Sequence, residues 1–534
     1  MNATTIISFV LFTGIVAIIA WLKTRKQKIT TLNGLFLANR KLGPLYIGGA
    51  LLFANINTAN IVGENELVYT NNMSVMAWGV TSVIAMLIVS EFFMPIYLRT
   101  GIATTPDYLE ARYDRSTKRI VSLVFLISYM VNLLPSVLYS GAVAFNGLFH
   151  FSEIYKLDDW TTIWILVWVM GCVGCLYAVL GGLRAIAVSD TLLGIGIFAG
   201  GILIPFLGLK FLGNGSLLNG LHKVLSSQTA HFNSIGSSTD SIPFSTIFTG
   251  MLLVNLYYWG TEQYIVQQVL ASKNLASCQK GITIAGFGKI LSILLLNIPG
   301  LIAVHLFTHL SNTAEVFPKM VTLVSPPFIS GYIAAIVFGA ALTTFNAGLN
   351  SSSTLFVLNI YQPWLIKKGR NAEERKLLKV AKWFELLTCF AAMTIAPFIL
   401  FAKSGFYNYV QMINGFFNVP IFTIILIGFI TKRVPPIAAK VGLIFFIISY
   451  GLSQTIWNTH IHFLHLLAIL FVITSLIMLV IGRCYPMKIP YRQKLNNKVD
   501  ITPWKNRYRY AFILIILVVA LFFIFSPAGL VKTN

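Results

Sequence analysis

Residues 45–69 read LYIGGALLFANINTANIVGENELVY and decide the fold. The stretch is long and apolar enough to cross a bilayer, and three asparagines interrupt it within six residues, at Asn55, Asn57 and Asn60. A membrane-spanning segment must pair its backbone groups internally, so we expect helices here, with a break at the asparagines. The break predicts a discontinuous helix whose freed carbonyls and amides line a binding site.

The composition extends this interpretation to the whole chain. Of 534 residues, 56% are hydrophobic and only 10% are charged, and the mean hydropathy is +0.77. Soluble domains carry roughly 25% charged residues, so this chain could not cover itself with a water-compatible surface. We predict an all-α polytopic membrane protein with about fourteen transmembrane helices. The spans are expected near 4–22, 45–69, 74–98, 120–148, 161–180, 186–213, 245–271, 281–308, 328–361, 380–402, 406–431, 436–457, 462–482 and 510–526.

The net charge of +22 follows from topology and does not indicate a nucleic-acid partner. With the N-terminus outside, 32 of the 39 Lys and Arg residues fall on the cytoplasmic side, as the positive-inside rule requires. We therefore expect a multi-pass protein of the cell membrane with both termini outside and the lipid bilayer as its surroundings.

The orientation also predicts an internal symmetry. Spans two to six start inside and spans seven to eleven start outside, as in an inverted repeat. The first span of the second unit has its own aromatic and polar interruption, NLYYWG at residues 255–260. We divide the chain into a leading helix and loop (1–44), two five-helix repeats (45–213 and 245–433) and additional C-terminal helices (434–534).

Other polar groups inside the spans suggest a solute site. Lys289 either faces an internal cavity or snorkels to the cytoplasmic interface, because a lipid-facing charge costs a few kcal/mol or more. Glu64 lies one turn after Asn60 on the same face, and Glu66 is expected at a hydrated outer mouth. Thr343 and Thr344 either bond back to their own helix or offer oxygens to a hard cation. Asp190 fits an N-terminal cap of its span.

These stretches resemble the solute/sodium symporter family, in particular the sodium/glucose cotransporter group. The resemblance is carried by FLANR (36–40), GIATTP (101–106), NLYYWG (255–260), QYI (263–265) and LNS (349–351), and it covers most of the chain. It implies a LeuT-like core of two inverted five-helix repeats. It also implies sodium-coupled symport by alternating access, with sodium as the co-transported ion and no enzymatic activity.

The resemblance assigns roles to residues of this chain. Sodium would be held by the carbonyls of Phe53, Ile56 and Ala340 and the hydroxyls of Thr343 and Thr344, with Asp190 on its exit path. The substrate-binding residues would be Asn60, Ser82, Asn255, Tyr258, Lys289 and Gln411, to which we add Glu64 as a hypothesis of our own. The gate would comprise Trp78, Tyr258, Trp259 and Tyr407, and Asn55 would link the two sites.

Two departures from the family concern the substrate. A sugar-binding glutamine of the family is Asn60 here, and a sugar-binding glutamate is Gly79. We hypothesise that Glu64 supplies the missing carboxylate. A small polar solute, above all a monosaccharide, is the expected cargo. An acidic sugar, polyol, organic anion or amino acid remains an alternative, and a channel or transporter-derived sensor a remote one.

Overall fold

The computed structural model describes residues 2–24, 31–310, 312–370, 373–401, 406–456, 461–493 and 499–531. Across these ranges the chain is almost entirely helical, and its one β-bridge joins Leu42 to Ser272. The helices of the first half are α1 (Ala3–Thr24), α2 (Leu32–Leu37), α3 (Pro44–Asn55), α4 (Thr58–Thr70), α5 (Ala77–Ile88), α6 (Met94–Thr100), α7 (Thr105–Arg112), α8 (Arg115–Ser128), α9 (Leu134–Phe149), α10 (Phe151–Tyr155), α11 (Asp159–Leu212) and α12 (Leu217–Ser226).

The second half continues in the same way. Its helices are α13 (Gly250–Gly260), α14 (Gln263–Leu270), α15 (Leu275–Leu291), α16 (Ile293–Leu296), α17 (Ile298–Leu306), α18 (Val316–Val324), α19 (Pro327–Phe356), α20 (Gln362–Lys367), α21 (Glu374–Ile395), α22 (Phe406–Gly415), α23 (Asn418–Ile430), α24 (Pro436–Thr455), α25 (Phe463–Cys484) and α26 (Arg507–Ile524). Three π-helical turns interrupt longer helices, at Val89–Phe93, Tyr129–Leu133 and Val357–Tyr361. Short 3₁₀ turns lie at Ala38–Arg40, Met73–Met76, Thr229–Phe232, Phe244–Phe248, Thr313–Glu315 and Ala396–Phe401.

Twelve described helical stretches are long and apolar enough to cross a membrane, and the bent pair α3–α4 makes a thirteenth. The remaining predicted span, 245–271, is occupied by α13 and α14, which are separated by a break. Ala402 and Trp457, at the ends of two predicted spans, lie outside the described residues. The predicted number of spans is therefore reached only when both broken helices are counted as crossings.

Both breaks lie near the predicted interruptions. α3 and α4 meet at 54° around Ile56 and Asn57, and the Asn57 side chain caps α4 by accepting a hydrogen bond of 2.9 Å from the Asn60 amide. The second break falls at Thr261 and Glu262, just past the predicted stretch 255–260. Its position differs because the aromatic run continues as helix to Gly260.

The long helix α11 is bent. A straight helix would separate Tyr177 from Ser189 by roughly 18 Å, at 1.5 Å per residue. Their hydroxyls nevertheless form a hydrogen bond, so the chain turns back between them. The bend therefore divides α11 into two membrane-spanning parts, which correspond to the predicted spans 161–180 and 186–213.

The broken helices lie at the centre of the bundle. α3 packs against α15, α11 and α19, while α13 packs against α5 and α23. α1 covers α19 and α11 from the outside, and α24, α25 and α26 flank the other side. The two interruptions are thus surrounded by protein, which is the condition under which irregular backbone is tolerated at membrane depth.

A buried arginine holds the end of α23. Arg112 is 1% exposed and donates hydrogen bonds to the carbonyls of Gly428 and Val434 and to the Thr431 hydroxyl, at 3.0, 3.2 and 3.1 Å. The carbonyls at a helix C-terminus lack partners within the helix and attract cations. Arg112 therefore joins α7 to the α23–α24 connection, and it makes no salt bridge with an acidic side chain of the described residues.

Candidate substrate and sodium site

A cavity of about 120 Å³ lies between the two broken helices. Ten of the predicted substrate, gate and coupling residues line it: Asn55, Asn60, Glu64, Trp78, Ser82, Asn255, Tyr258, Lys289, Tyr407 and Gln411. Trp259 does not line it; the ring packs edge-on behind Tyr258, with centroids 5.2 Å apart. Residues scattered over more than 350 positions are therefore brought to one polar chamber.

Lys289 faces this chamber and not the cytoplasmic interface. The side chain is buried, and Nζ lies 3.6 Å from the place where a Cβ on Gly79 would be. Within the described part of the chain, the ammonium makes no hydrogen bond and no ion pair. The Lys289 ammonium therefore lies beside position 79, where the family has a glutamate, and its N–H groups can donate to a ligand.

Glu64 lines the same cavity. Its Oε2 accepts a hydrogen bond of 3.2 Å from Asn297 Nδ2, whereas its buried Oε1 has no partner among the described residues. A buried carboxylate oxygen without a donor costs free energy, which a donating ligand would recover. Glu66, by contrast, accepts a 2.6 Å bond from the Thr313 hydroxyl and does not line the cavity.

Two polar side chains on the α5 side of the cavity already donate hydrogen bonds to other protein groups. Ser82 Oγ donates to the Gly79 carbonyl at 2.6 Å, and Asn255 Nδ2 donates to Thr81 Oγ1 at 3.0 Å. Ser82 thus bonds back to its own helix, as hydroxyls on helices commonly do. Its lone pairs, and the Asn255 carbonyl oxygen, remain available as acceptors.

Aromatic rings bound the cavity at the predicted outer gate. Trp78 and Tyr407 are both less than 9% exposed, and the Tyr407 ring lies directly against the Gly63 backbone. Gln411 Nε2 donates to the Tyr407 hydroxyl at 3.1 Å. Only a residue without a side chain at position 63 permits this approach.

A tyrosine pair bounds the cavity at the predicted inner gate. Tyr264 donates to the Tyr258 hydroxyl at 2.8 Å, and Tyr258 donates to the Ala54 carbonyl at 3.2 Å. Glu262, at the second break, accepts a 2.6 Å bond from Tyr257 and another from Tyr129. These contacts place aromatic rings at the predicted outer gate and a tyrosine pair at the predicted inner gate.

The cavity residues that the sequence analysis did not assign to the site include Tyr129, Asn132, Glu262, Tyr264 and Asn414. The signal for Glu262 and Asn132 was present, since each is a polar residue inside an apolar span and such residues are usually functional. Tyr129 and Tyr264 gave no signal, because tyrosines also pack in ordinary cores.

The Thr344 hydroxyl lies at the first break, whereas the Thr343 hydroxyl bonds back to its own helix. Thr344 Oγ1 lies 3.4 Å from the carbonyl oxygens of both Phe53 and Ala54, and Thr343 Oγ1 lies 3.2 Å from the Ala340 carbonyl. All are buried, and neutral oxygens suit a hard monovalent cation. Ala54 was not predicted, and among the described residues no hydrogen bond connects the Ile56 carbonyl to this group.

Asp190 lies inside α11, so its prediction as an N-terminal cap was wrong. The helix does not start there because it continues through the bend from Asp159. Asp190 is fully buried, and neither of its carboxylate oxygens has a partner among the described residues. An unpaired carboxylate at membrane depth is compatible with the predicted contact to a passing cation.

The family model described as "Sodium:solute symporter family" matches residues 35–445. The chain belongs to this family. The uncharacterized symporter YidK of Escherichia coli is 43% identical over 506 residues, covering 95% of this chain and 88% of that protein. The sodium/glucose cotransporter of Vibrio parahaemolyticus is 25% identical over 465 residues, covering 82% of this chain and 83% of that protein.

A solved structure of a sodium-coupled sialic acid symporter in a substrate-bound, outward-open state superimposes with a TM-score of 0.76. The two chains are 18% identical, and the match covers 92% of this chain and 100% of that one. The likeness establishes the LeuT-like fold. Together with the family, it supports sodium-coupled symport by a multi-pass membrane protein and excludes the enzyme alternative.

Proposed function

We propose that the protein imports a monosaccharide together with sodium. The observation that carries this proposal is that the Lys289 ammonium and Glu64 Oε1 line one cavity, attract each other electrostatically, and make no hydrogen bond to the described residues. Sugar hydroxyls both donate and accept hydrogen bonds, so one ligand can satisfy both groups. The surrounding amides of Asn60, Asn255 and Gln411 also both donate and accept.

The proposed cycle follows from the two closures. Sodium bound at Phe53, Thr343 and Thr344 holds α3 against α19 and so orders the break beside Asn55. Linkage then requires sodium and solute to raise each other's affinity by the same factor. Release of the Tyr258 closure lets both leave inward, and an inside-negative potential of 100 mV adds about 2.3 kcal/mol per charge moved.

The proposal extends to topology and stoichiometry. The termini lie outside, residues 45–213 and 245–433 form the inverted repeats, and one sodium ion accompanies each solute. Uptake of two sodium ions per solute, measured with radiolabelled sodium and solute in the same vesicles, would contradict the last point.

The decisive experiment measures uptake of a labelled sugar panel into proteoliposomes, with and without an inward sodium gradient. Sodium-dependent accumulation of a hexose supports the proposal. Sodium-dependent uptake confined to polyols or amino acids would keep the coupling and refute the sugar.

The role of Glu64 has a matched control on the same helix. Glu64→Gln should raise the solute KM about tenfold, since a hydrogen bond to a charged group contributes about 1.5–3 kcal/mol. Glu66→Gln makes the same chemical change outside the cavity and should leave the solute KM nearly unchanged. Equal KM values for the parent and Glu64→Gln would show that the Glu64 carboxylate does not bind the substrate.

A second candidate is an acidic monosaccharide, favoured by the Lys289 ammonium that lines the cavity beside Gly79. Gly79→Glu would place a carboxylate against the ammonium, because a Cβ there makes only ordinary contacts. A neutral hexose should then be bound as well as before or better, whereas an acidic sugar should be repelled. Gly79→Gln has the same size without the charge, so it separates electrostatic from steric effects.

A further inference from the structure

One short π-helical turn contacts both closures of the cavity. The turn Tyr129–Leu133 interrupts the long span formed by α8 and α9, and both Tyr129 and Asn132 are 1% exposed and line the cavity. π-turns inside α-helices are uncommon and are frequent at functional sites. No role in either gate follows from the sequence for these two residues.

On the inner side, the contact runs through Tyr129. Its hydroxyl donates to Glu262 Oε1 and accepts a 3.2 Å bond from the Tyr264 amide. Tyr264 in turn donates to Tyr258, whose hydroxyl reaches the Ala54 carbonyl. Tyr129 thereby holds the start of α14, the helix that follows the second break.

On the outer side, the contact runs through Asn132. Its Nδ2 donates to Asn414 Oδ1 at 2.8 Å, and Asn414 Nδ2 donates to Gln411 Oε1 at 3.2 Å. Gln411 Nε2 then donates to the Tyr407 hydroxyl at 3.1 Å. Each amide in this series donates from its NH₂ group to the next residue, and the oxygens of Asn414 and Gln411 accept from the residue before. The orientation of one amide therefore fixes the orientation of the next.

We propose that the turn Tyr129–Leu133 links the two gates, with Asn132 as the positioning residue that ties the state of Tyr407 to that of the inner closure. This inference rests on the proposed alternating-access function but not on the identity of the solute. When the Tyr407 hydrogen bond on the outer side is lost, the change is transmitted to α14 through Gln411, Asn414 and Asn132. In a transporter that must never open both sides, such a link keeps one side closed while the other opens.

The inner gate can be read by a cysteine at Thr105. This residue begins α7 on the predicted cytoplasmic side, and its backbone amide donates to Gln263 Oε1 at the start of α14, at 2.8 Å. Its own hydroxyl is buried without a partner among the described residues, so Thr105→Cys removes no hydrogen bond. The exposed Cys172 and Cys484 are replaced by serine, and a membrane-impermeant maleimide is applied to inside-out vesicles in sodium buffer.

The test is a double-mutant cycle on the labelling rate of Thr105→Cys, with sodium alone present. Tyr407→Phe removes the outer end of the series and should favour the outward-open state, which slows labelling about fivefold, the factor expected for one hydrogen bond. Asn132→Leu should slow labelling to a similar extent. In the Asn132→Leu background, Tyr407→Phe should have no further effect.

Three results would overturn the proposal. The first is a Tyr407→Phe effect of the same size with and without Asn132. The second is an unchanged labelling rate in Asn132→Leu. The third is equal slowing by Asn146→Leu, the same substitution elsewhere on this span. Among the described residues, the Asn146 side chain hydrogen-bonds to Ser152 alone, near the predicted outer end of the helix.

A second variant protects the test against misfolding. If Asn132→Leu does not fold, Asn414→Leu removes the other side of the same hydrogen bond and should give the same cycle. Because only sodium is present, a negative cycle rejects the link between the gates and leaves sodium-coupled symport to be judged by the uptake experiment.

Discussion

Adding one methyl group at Gly63 should prevent the outer gate from closing. A Cβ there would lie 2.2 Å from Tyr407 Cδ2, 2.8 Å from Cγ and 2.9 Å from Cβ, whereas ordinary contact begins at 3.4 Å. The ring must therefore retreat by about 1 Å or leave its place. Such overpacking typically costs about 1–3 kcal/mol, which corresponds to roughly a 5–150-fold shift away from the closed state.

The assay uses a cysteine inside the cavity. Ala59 lines the chamber on α4, and labelling of Ala59→Cys by an impermeant maleimide from the outside reports opening. Gly63→Ala should raise the labelling rate by a factor within the range above and lower the maximal uptake rate. Gly14→Ala, where a Cβ would meet nothing within 4 Å, is the matched control and should change neither. Unchanged labelling in Gly63→Ala would show that the Tyr407 ring does not seal the cavity.

Three further outcomes are expected. Thr344→Val should raise the sodium concentration for half-maximal uptake about tenfold, while Thr344→Ser should keep it near the parent value; equal effects would remove this hydroxyl from the sodium site. Arg112→Lys should lose bonds at the end of α23 and destabilise the protein by about 2 kcal/mol, measured as a lower melting temperature in detergent. Asp114→Ala should cost about 1 kcal/mol more than Asp114→Asn, because asparagine still caps α8. Burial alone would raise the pKa of Asp114, but hydrogen bonds from Lys440 and Thr117 hold it below its ordinary value. Its stabilisation is therefore present above the unfolded pKa and lost as the pH falls through the lowered value, and Asp114→Asn should abolish this acid dependence.

Much of the site could be predicted because polar groups in a membrane are costly. Asn55, Glu64 and Lys289 could not face lipid, so the sequence alone directed them toward an interior surface. The asparagines also indicated the first break, and the structure places it at Ile56 and Asn57. Composition was sufficient to predict an all-α polytopic membrane protein for the same physical reason, whereas the LeuT-like core was predicted from the family resemblance.

The remainder depends on geometry that periodicity does not report. The π-turn at Tyr129–Leu133 adds one residue to a helical turn, and no local signal in the sequence requires it. The contact of Tyr407 with Gly63 joins residues 344 positions apart, so glycine at position 63 looked like an ordinary small residue in a span. The sequence predicts an N-terminal cap at Asp190 because the residues at the bend in α11 resemble those at the start of a helix.

The Ala54 carbonyl has an implication for leakage. It lies 3.2 Å from the Tyr258 hydroxyl and 3.4 Å from Thr344 Oγ1, so one backbone oxygen serves both the inner closure and the cation site. A tyrosine that swings away changes the field at the cation, and a cation that departs frees an acceptor for the tyrosine. Sodium that crosses without solute would therefore disturb the Tyr258 closure. We expect uncoupled sodium flux to be small in the parent and larger in Tyr258→Phe, and a sodium-flux measurement without solute would show it.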